Sequence, residues 1–552
     1  MATRVAEEMK EKIGGVVGYA VRFEDVTSHR TRLKYVTDGM LLRELISNPT
    51  LKGYTHIIID EAHERTLRTD ILFGMIKEIQ KSRKLKLVIM SATLAAKKFS
   101  EYFGNAPIIQ VSGRQFPVRL FYTLEPMNDY LEAVMITIFQ IHLENKSGDV
   151  LVFLTGQEEI ESVASLLMEN VKRCPEGTLG FTVCPIFSAL PTHQQAKVFH
   201  PTPEGTRKII LATNIAETSI TIPNVKYVID PGVVKMRLFD SKTGIESLAI
   251  LPVSKSSAKQ RLGRAGRVAN GFCYRLFTEE SYNALEEETL PEMQRSNLSN
   301  IILMMKASGI EDVLKFDYID RPSNNLLKRS MEELLSLGAL AQDGTISKIG
   351  LRMADFPLQP TLSKVLLKAS EFGCARAVSK IIALLSVDNI FFAPSNSREE
   401  ASKAKQLFKH PQGDHLTYLN AYESFLLNSN QVWCKQHFIN YRAMKQVTKI
   451  STQILQLLER KKMAIGDELD PELILKSFLD GFAQNCAIRQ PNNTYKVGNQ
   501  VVSIHPASVL FGSKADCVLY NEITHTTKCY LRGVSKIEPV WIMDRKKEIL
   551  KK

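Results

Sequence analysis

Short β-rich runs separated by amphipathic stretches fill the first half of the chain, and this alternation decides what kind of core it can build. The runs are Thr55–Ile59, Leu85–Met90, Val150–Leu154, Thr182–Phe187, Lys208–Ala212 and Lys226–Ile229. Between them lie helical patterns such as Ile71–Lys81 and Glu158–Lys172. Strands that alternate with helices predict parallel sheets covered by helices. Open sheets of this kind bind ligands beyond the carboxyl ends of their strands. Four of the runs end there in polar groups: Asp60, Ser91, Thr155 and Thr213. One such ending means little, but four together predict one site, or two facing sites.

After Phe277 the texture changes. Leu285–Gly338 and Leu351–Leu384 carry apolar residues at helical spacing with few strand signals. From Ile488 onward, short β-type runs (Thr494–Val497, Val501–Ile504, Cys517–Leu519, Lys528–Leu531) are separated by Asn, Gly and Pro turns, which predicts a small β-barrel. A chain of 552 residues should hold several domains. These shifts place the divisions at 1–118, 119–280, 281–350, 351–455 and 456–552. The net charge of +12 favours an anionic partner such as nucleic acid, although a solvated basic surface gives the same count. The eight cysteines form no C-x-x-C pair, which fits a reducing intracellular setting. No apolar run approaches the roughly 18–20 residues that cross a bilayer, so no membrane partner is expected. Residues 1–12 alternate in charge without an apolar signal region, and no repeat period points to a solenoid.

Three motifs carry chemistry. In His56-Ile57-Ile58-Ile59-Asp60-Glu61-Ala62-His63, an apolar strand ends in two adjacent carboxylates. Such a pair can hold Mg²⁺ with the first and orient water with the second, or simply cap a charged helix. Ser91-Ala92-Thr93 follows the run Leu85–Met90, where small hydroxyls often only cap the next helix. Gln260-Arg261-Leu262-Gly263-Arg264-Ala265-Gly266-Arg267 spaces three arginines three apart and breaks them with two glycines. Glycines admit close approach to a ligand, and arginine forks suit phosphate oxygens. Arginine fingers of this type supply roughly 10³–10⁵ in phosphoryl-transfer rate.

With these motifs in order, the chain resembles a DEAH-box RNA helicase of the branch serving pre-mRNA splicing and ribosome assembly. The matching pieces are Thr37–Leu41, Asp60–His63, Ser91–Thr93, Phe153–Ile160, Thr213–Ser219 and Gln260–Arg267. The match continues through Pro291–Arg295 and Gly413-Asp414-His415-Leu416-Thr417 to His505–Ser508, so it covers nearly the whole chain. The resemblance implies two RecA-like parallel-sheet lobes, the first incomplete, then winged-helix, helical ratchet and OB-type β-barrel domains. It implies ATP and Mg²⁺ as cofactors. Asp60 would organise Mg²⁺, Glu61 would polarise the attacking water, and His63 would link the nucleotide site to the second lobe. Gln260, Arg264 and Arg267 would reach the γ-phosphate, and Ser91 and Thr93 would relay nucleotide state. Phe199 would stack on adenine; as a residue type it equally suits a core. Thr37, Thr213 and Asn214 would grip single-stranded RNA by its backbone. The runs flanking Asp240–Gly244 would form a strand-separating hairpin, or an ordinary ribbon. The barrel would receive an activating protein, and residence would be nuclear.

Leu262 stands where the family usually has a small residue, and Ala95 stands where an Asp is usual. The phosphate-cradling pattern G-x-x-x-x-G-K-[ST] does not occur: Gly14-Gly15 and Gly18 lack a following Lys-Ser or Lys-Thr. Two expectations compete. One is an incomplete or alternatively started version of an active helicase, which the retained Asp60, Glu61, Arg264 and Arg267 favour. The other is a short product that binds RNA or partners without hydrolysing ATP.

Overall fold

The computed structural model describes residues 1–22, 24–92, 96–111, 113, 116–144, 147–175, 177–188, 190, 192–218, 220–241, 244–387, 390–392, 397–498, 500–525 and 528–550. The chain divides into two compact units: Met1–Met90 with Phe239–Ser247 and Pro291–Lys552, and Ser91–Leu238 with Leu248–Leu290.

The strands in chain order are β1 (Val17–Val21), β2 (Glu24–Val26), β3 (Leu33–Val36), β4 (His56–Ile59), β5 (Lys86–Ile89), β6 (Val118–Tyr122) and β7 (Asp149–Phe153). They continue as β8 (Gly180–Ile186), β9 (Thr206–Ala212), β10 (Val225–Asp230), β11 (Val233–Asp240), β12 (Ile245–Pro252) and β13 (Gly271–Arg275). Each strand predicted in this half is present, with ends shifted by a residue or two. The sequence reading missed β1, β2, β3, β6 and β13.

The second unit is built on a six-stranded sheet in the order β6-β13-β10-β7-β9-β8. Every pairing in it is parallel. Parallel strands covered on both faces need apolar residues at nearly every position, and Val150, Leu151, Val152 and Phe153 are all buried. One face packs against helices Tyr130–Glu144 and Gln157–Asn170 through Val134, Ile138, Ile160 and Val163. The other carries Leu151, Phe153, Ala216, Ile222 and Ala265, and here Leu262 packs as a partly buried member of the core. A helix-packing contact therefore accounts for Leu262. β11 and β12 pair as the expected ribbon, and Lys242 and Thr243 of its loop lie outside the described residues.

The first unit opens with helix Ala2–Glu8, which covers the sheet β2-β1-β3 through Ala2, Ala6 and Val17. β4 and β5 pair in parallel, with Ile57 opposite Leu87 and Ile58 opposite Val88. One face of this pair is buried at Ile57 and Ile59, whereas Ile58 and Val88 on the other are 59% and 47% exposed. Helix Leu67–Ser82 follows β4 and is buried along Ile71–Ile76. Beyond Pro291 helices dominate, among them Asn324–Ser336, Pro360–Glu371, Ala375–Leu385 and Tyr441–Arg460. Helices Pro360–Glu371 and Pro471–Gly481 touch so closely that a Cβ on Gly481 would lie 2.3 Å from the Thr361 carbonyl oxygen.

The final segment forms a seven-stranded sheet of β14 (Cys486–Arg489), β15 (Tyr495–Val497), β16 (Gln500–Ile504), β17 (Cys517–Leu519), β18 (Glu522–His525), β19 (Cys529–Arg532) and β20 (Ser535–Lys536), ordered β18-β19-β16-β15-β14-β17-β20. Its core holds Ala487, Tyr495, Val502, Leu531 and Val534.

Candidate functional site

β4 delivers Asp60 and Glu61 to the carboxyl end of its sheet. Asp60 Oδ1 accepts the Glu61 N–H at 2.9 Å. Glu61 has φ 50°, an uncommon left-handed conformation for a residue with a Cβ. The Ala62 N–H donates to the Met90 carbonyl at 3.0 Å, which ties the turn to the end of β5. Glu61 Oε2 lies 3.3 Å from His63 Nε2, and the imidazole is 5% exposed against 48% for the carboxylate. A half-exposed carboxylate thus stands next to a buried ring.

The far end of the turn is fixed as well. Arg65 is also left-handed, φ 48°. Its guanidinium is buried and binds Asp70 through Nε at 2.8 Å and Nη2 at 3.0 Å. The same Nη2 reaches Asp320 Oδ2 at 2.5 Å. Glu292 donates its N–H to the Arg65 carbonyl at 3.2 Å and accepts from the Leu67 N–H at 2.8 Å. Burial opposes the Arg65 charge, but Asp70 and Asp320 outweigh it and hold the guanidinium above its ordinary range. Left-handed non-glycine residues persist only where their surroundings over-determine them, and this network does so.

In the second unit, Ser254 caps helix Lys255–Leu262 by accepting the Ser257 N–H at 3.1 Å. Arg261, at its last turn, is fully buried. Its Nε donates to Glu217 at 3.0 Å, and its Nη1 donates to Asp230 at 2.7 Å and to the Val233 carbonyl at 3.2 Å. The guanidinium carbon stands 4.7 Å from the Phe153 ring centroid. Burial pulls its pKa down, but Asp230 and Glu217 together pull it up further. Arg264 donates to the Ile220 carbonyl at 3.1 Å and the Thr218 carbonyl at 3.4 Å. Arg267 donates to Thr221 Oγ1.

The arginines of the motif therefore differ in their surroundings. Arg261, one of three arginines read as phosphate-facing chemistry, is an internal clamp. The two glycines also differ. A Cβ on Gly266 would stand 2.6 Å from the Phe116 carbonyl oxygen, so this glycine serves strand packing. Gly263 has ordinary helical angles, and a Cβ there would meet nothing closer than 3.4 Å.

Thr213 follows β9, donates its N–H to the Ile186 carbonyl at 3.1 Å and starts a short turn in which Glu217 N–H donates to the Asn214 carbonyl at 2.9 Å. Asn214 is exposed. Thr37 is exposed and precedes helix Asp38–Ser47. Phe199 is 47% exposed, which excludes the core role its residue type also allowed. Gln260 is half-buried, as is Ser91, which directly follows Met90. Thr93, Ala95 and Ser219 lie outside the described residues. The structure thus groups Asp60, Glu61 and His63 in one cluster, and Gln260, Arg264 and Arg267 in another beside the segment that begins at Thr213 and Asn214. Sequence reasoning missed the Glu217–Arg261–Asp230 triad. Its trace was present, since Ala258, Arg261 and Ala265 recur at helical spacing and are all buried.

No group of three or more potential metal ligands occurs among the described residues. An exposed Asp-Glu pair still fits Mg²⁺, which keeps several waters and takes one or two carboxylates alongside substrate phosphates. No helix of the described residues is long and apolar enough to cross a membrane.

Comparison with known families agrees with this arrangement. The helicase conserved C-terminal domain matches residues 131–269, and the winged-helix and ratchet-like parts of the helicase-associated domain match 330–358 and 359–418. The oligonucleotide/oligosaccharide-binding fold matches 474–549. Together they describe a helicase with its associated domains. Relatives include the pre-mRNA-splicing factor ATP-dependent RNA helicase DEAH10 of Arabidopsis thaliana, 44% identical over 99% of this chain and 84% of its own length. The splicing helicase prp22 of Schizosaccharomyces pombe is also 44% identical, over 99% of this chain but 47% of its own length. The human ATP-dependent RNA helicase DHX33 is 42% identical over 100% of this chain and 80% of its length. The chain belongs to the DEAH-box family of ATP-dependent RNA helicases.

Proposed function

We propose that this chain uses ATP hydrolysis to move along or remodel RNA, in pre-mRNA splicing or ribosome assembly. The observation that carries the reading is the Asp60–His63 turn, held at one end by Met90 and at the other by the Arg65 network. Glu61, carried on this fixed turn beside His63, accepts a hydrogen bond from the attacking water. Asp60, and Glu61 through water, would hold Mg²⁺, which would supply positive charge against the phosphates. Arg264 and Arg267, with Gln260, supply donors to the γ-phosphate, and Phe199 offers an exposed ring to adenine. Ser91 and Thr93 are assigned to relaying nucleotide state.

Thr37, Thr213 and Asn214 are assigned to the RNA backbone, and the net charge of +12 makes that grip electrostatic and salt-dependent. The divisions at residues 119, 281, 351 and 456 are the proposed domain limits, with the β14–β20 domain as the place where a protein partner docks. The splicing roles named for two relatives support nuclear residence. The test is displacement of a labelled strand from a duplex bearing a single-stranded RNA tail. ATP-dependent displacement that disappears in Glu61→Gln supports the reading. Tight RNA binding with no ATP-dependent displacement points instead to an RNA- or partner-binding scaffold.

A further inference from the structure

Three arginines spaced three apart, Arg261, Arg264 and Arg267, hold successive stations of one segment: Glu217, then the Thr218 and Ile220 carbonyls, then Thr221. That segment continues directly from Thr213 and Asn214. Its carbonyl at Asn214 accepts the Glu217 N–H, so the Glu217 side chain and the Asn214 backbone belong to one turn. Arg261 cannot itself touch RNA, because its side chain is 2% exposed. Its other partner, Asp230, ends β10 and is rigid: the carboxylate accepts the Gly232 N–H at 2.9 Å, and the backbone carbonyl accepts the Leu276 N–H at 2.9 Å. A fixed carboxylate thus holds the guanidinium, and the guanidinium holds the turn.

We propose that Glu217 and Arg261 are positioning residues that set the Thr213–Asn214 turn for RNA, and that the arginines facing phosphate grip the same segment. This rests on the reading of Thr213 and Asn214 as RNA contacts. A guanidinium that bridges two carboxylates, through Nε to Glu217 and Nη1 to Asp230, transmits orientation better than a single flexible contact would. The row also gives nucleotide and RNA a shared element, since Arg264 and Arg267 donate to the segment with groups that a γ-phosphate would compete for.

Removing Arg261 would strand two buried carboxylates and could unfold the unit. The informative variant is therefore Glu217→Gln, which keeps the shape and leaves the Arg261–Asp230 pair neutral. It removes one negative charge, so electrostatics alone predicts RNA binding that is unchanged or slightly tighter. Positioning predicts the opposite: roughly tenfold weaker binding of a fluorescent oligo-uridine, with an unchanged slope of affinity against salt. Hydrogen exchange read on the full chain should show faster exchange at the described residues between 213 and 221, with β7 and β10 unaffected. Equal or tighter RNA binding together with unchanged exchange overturns the proposal. If the unaltered chain binds no oligo-uridine, the RNA reading falls, and exchange alone still decides whether Glu217 positions the turn.

Discussion

Asp414 is 2% exposed, and both of its carboxylate oxygens are committed. Oδ1 accepts the Val509 N–H and Oδ2 the Val534 N–H, each at 2.9 Å, while the Asp414 N–H donates to the Val534 carbonyl at 2.8 Å. One residue at the start of helix Asp414–Asn428 thereby staples that helix to the β14–β20 domain. Replacing it with Ala removes two charge-assisted bonds and leaves two buried N–H groups without acceptors. Each such bond contributes about 1.5–3 kcal/mol, and the two are not independent, so a loss of about 3–5 kcal/mol is expected. Asp414→Asn keeps one acceptor and should lose about half of that. The assay is native-state hydrogen exchange at the amides of β16 and β19. Their opening free energy should fall by the stated amounts, while amides in helix Gln157–Asn170 keep theirs. A fall of less than about 1 kcal/mol in Asp414→Ala would show that water or a rearranged loop replaces the carboxylate, and the staple argument would fail.

Other expectations follow from single contacts. Gly266→Ala should destabilise by about 1–3 kcal/mol in chemical denaturation, because its Cβ would meet the Phe116 carbonyl at 2.6 Å. Gly263→Ala should change stability by less than about 0.5 kcal/mol, so any loss of ATP turnover in it reports on ligand approach. Burial lowers the pKa of His142, His410, His415 and His505, aided by Arg207 at His142 and by Arg532 and Lys405 at His505. Unfolded chains then bind more protons below about pH 6.5, so stability is full above that value and falls as the pH drops from it. Urea midpoints at pH 7.5 and 5.5 should show the loss, and His415→Gln should make it shallower. A flat profile would contradict the assignment. Asp320→Asn, which keeps the buried Arg65–Asp70 pair, should leave RNA affinity within about twofold yet cut ATP turnover by roughly tenfold, because it loosens the turn that carries Glu61.

The parallel sheets were legible because a strand such as β7, buried on both faces, must be apolar along its length. Asp60 was legible as the first charged residue after the apolar run of β4, although only one face of β4 is buried. β6 and β13 were not legible. Val118–Tyr122 interleaves an arginine with apolar residues, and its register against Gly271–Arg275 is set by a partner about 150 residues away. The roles of Arg261 and Asp414 were hidden for a related reason. A charge reads as surface until its buried partners are known, and Glu217, Asp230, Val509 and Val534 are brought to these two side chains only by the fold. Gly413-Asp414-His415 is structural: His415 is buried between Ser535 at 2.7 Å and Asn521 at 2.9 Å.

The most direct test of the account is phosphate release by this 552-residue chain with and without single-stranded RNA, beside Glu61→Gln. The account predicts turnover that RNA stimulates and that Glu61→Gln reduces by at least about 10²-fold while RNA affinity is kept. RNA bound at full affinity, with turnover at background or indifferent to Glu61, would contradict it.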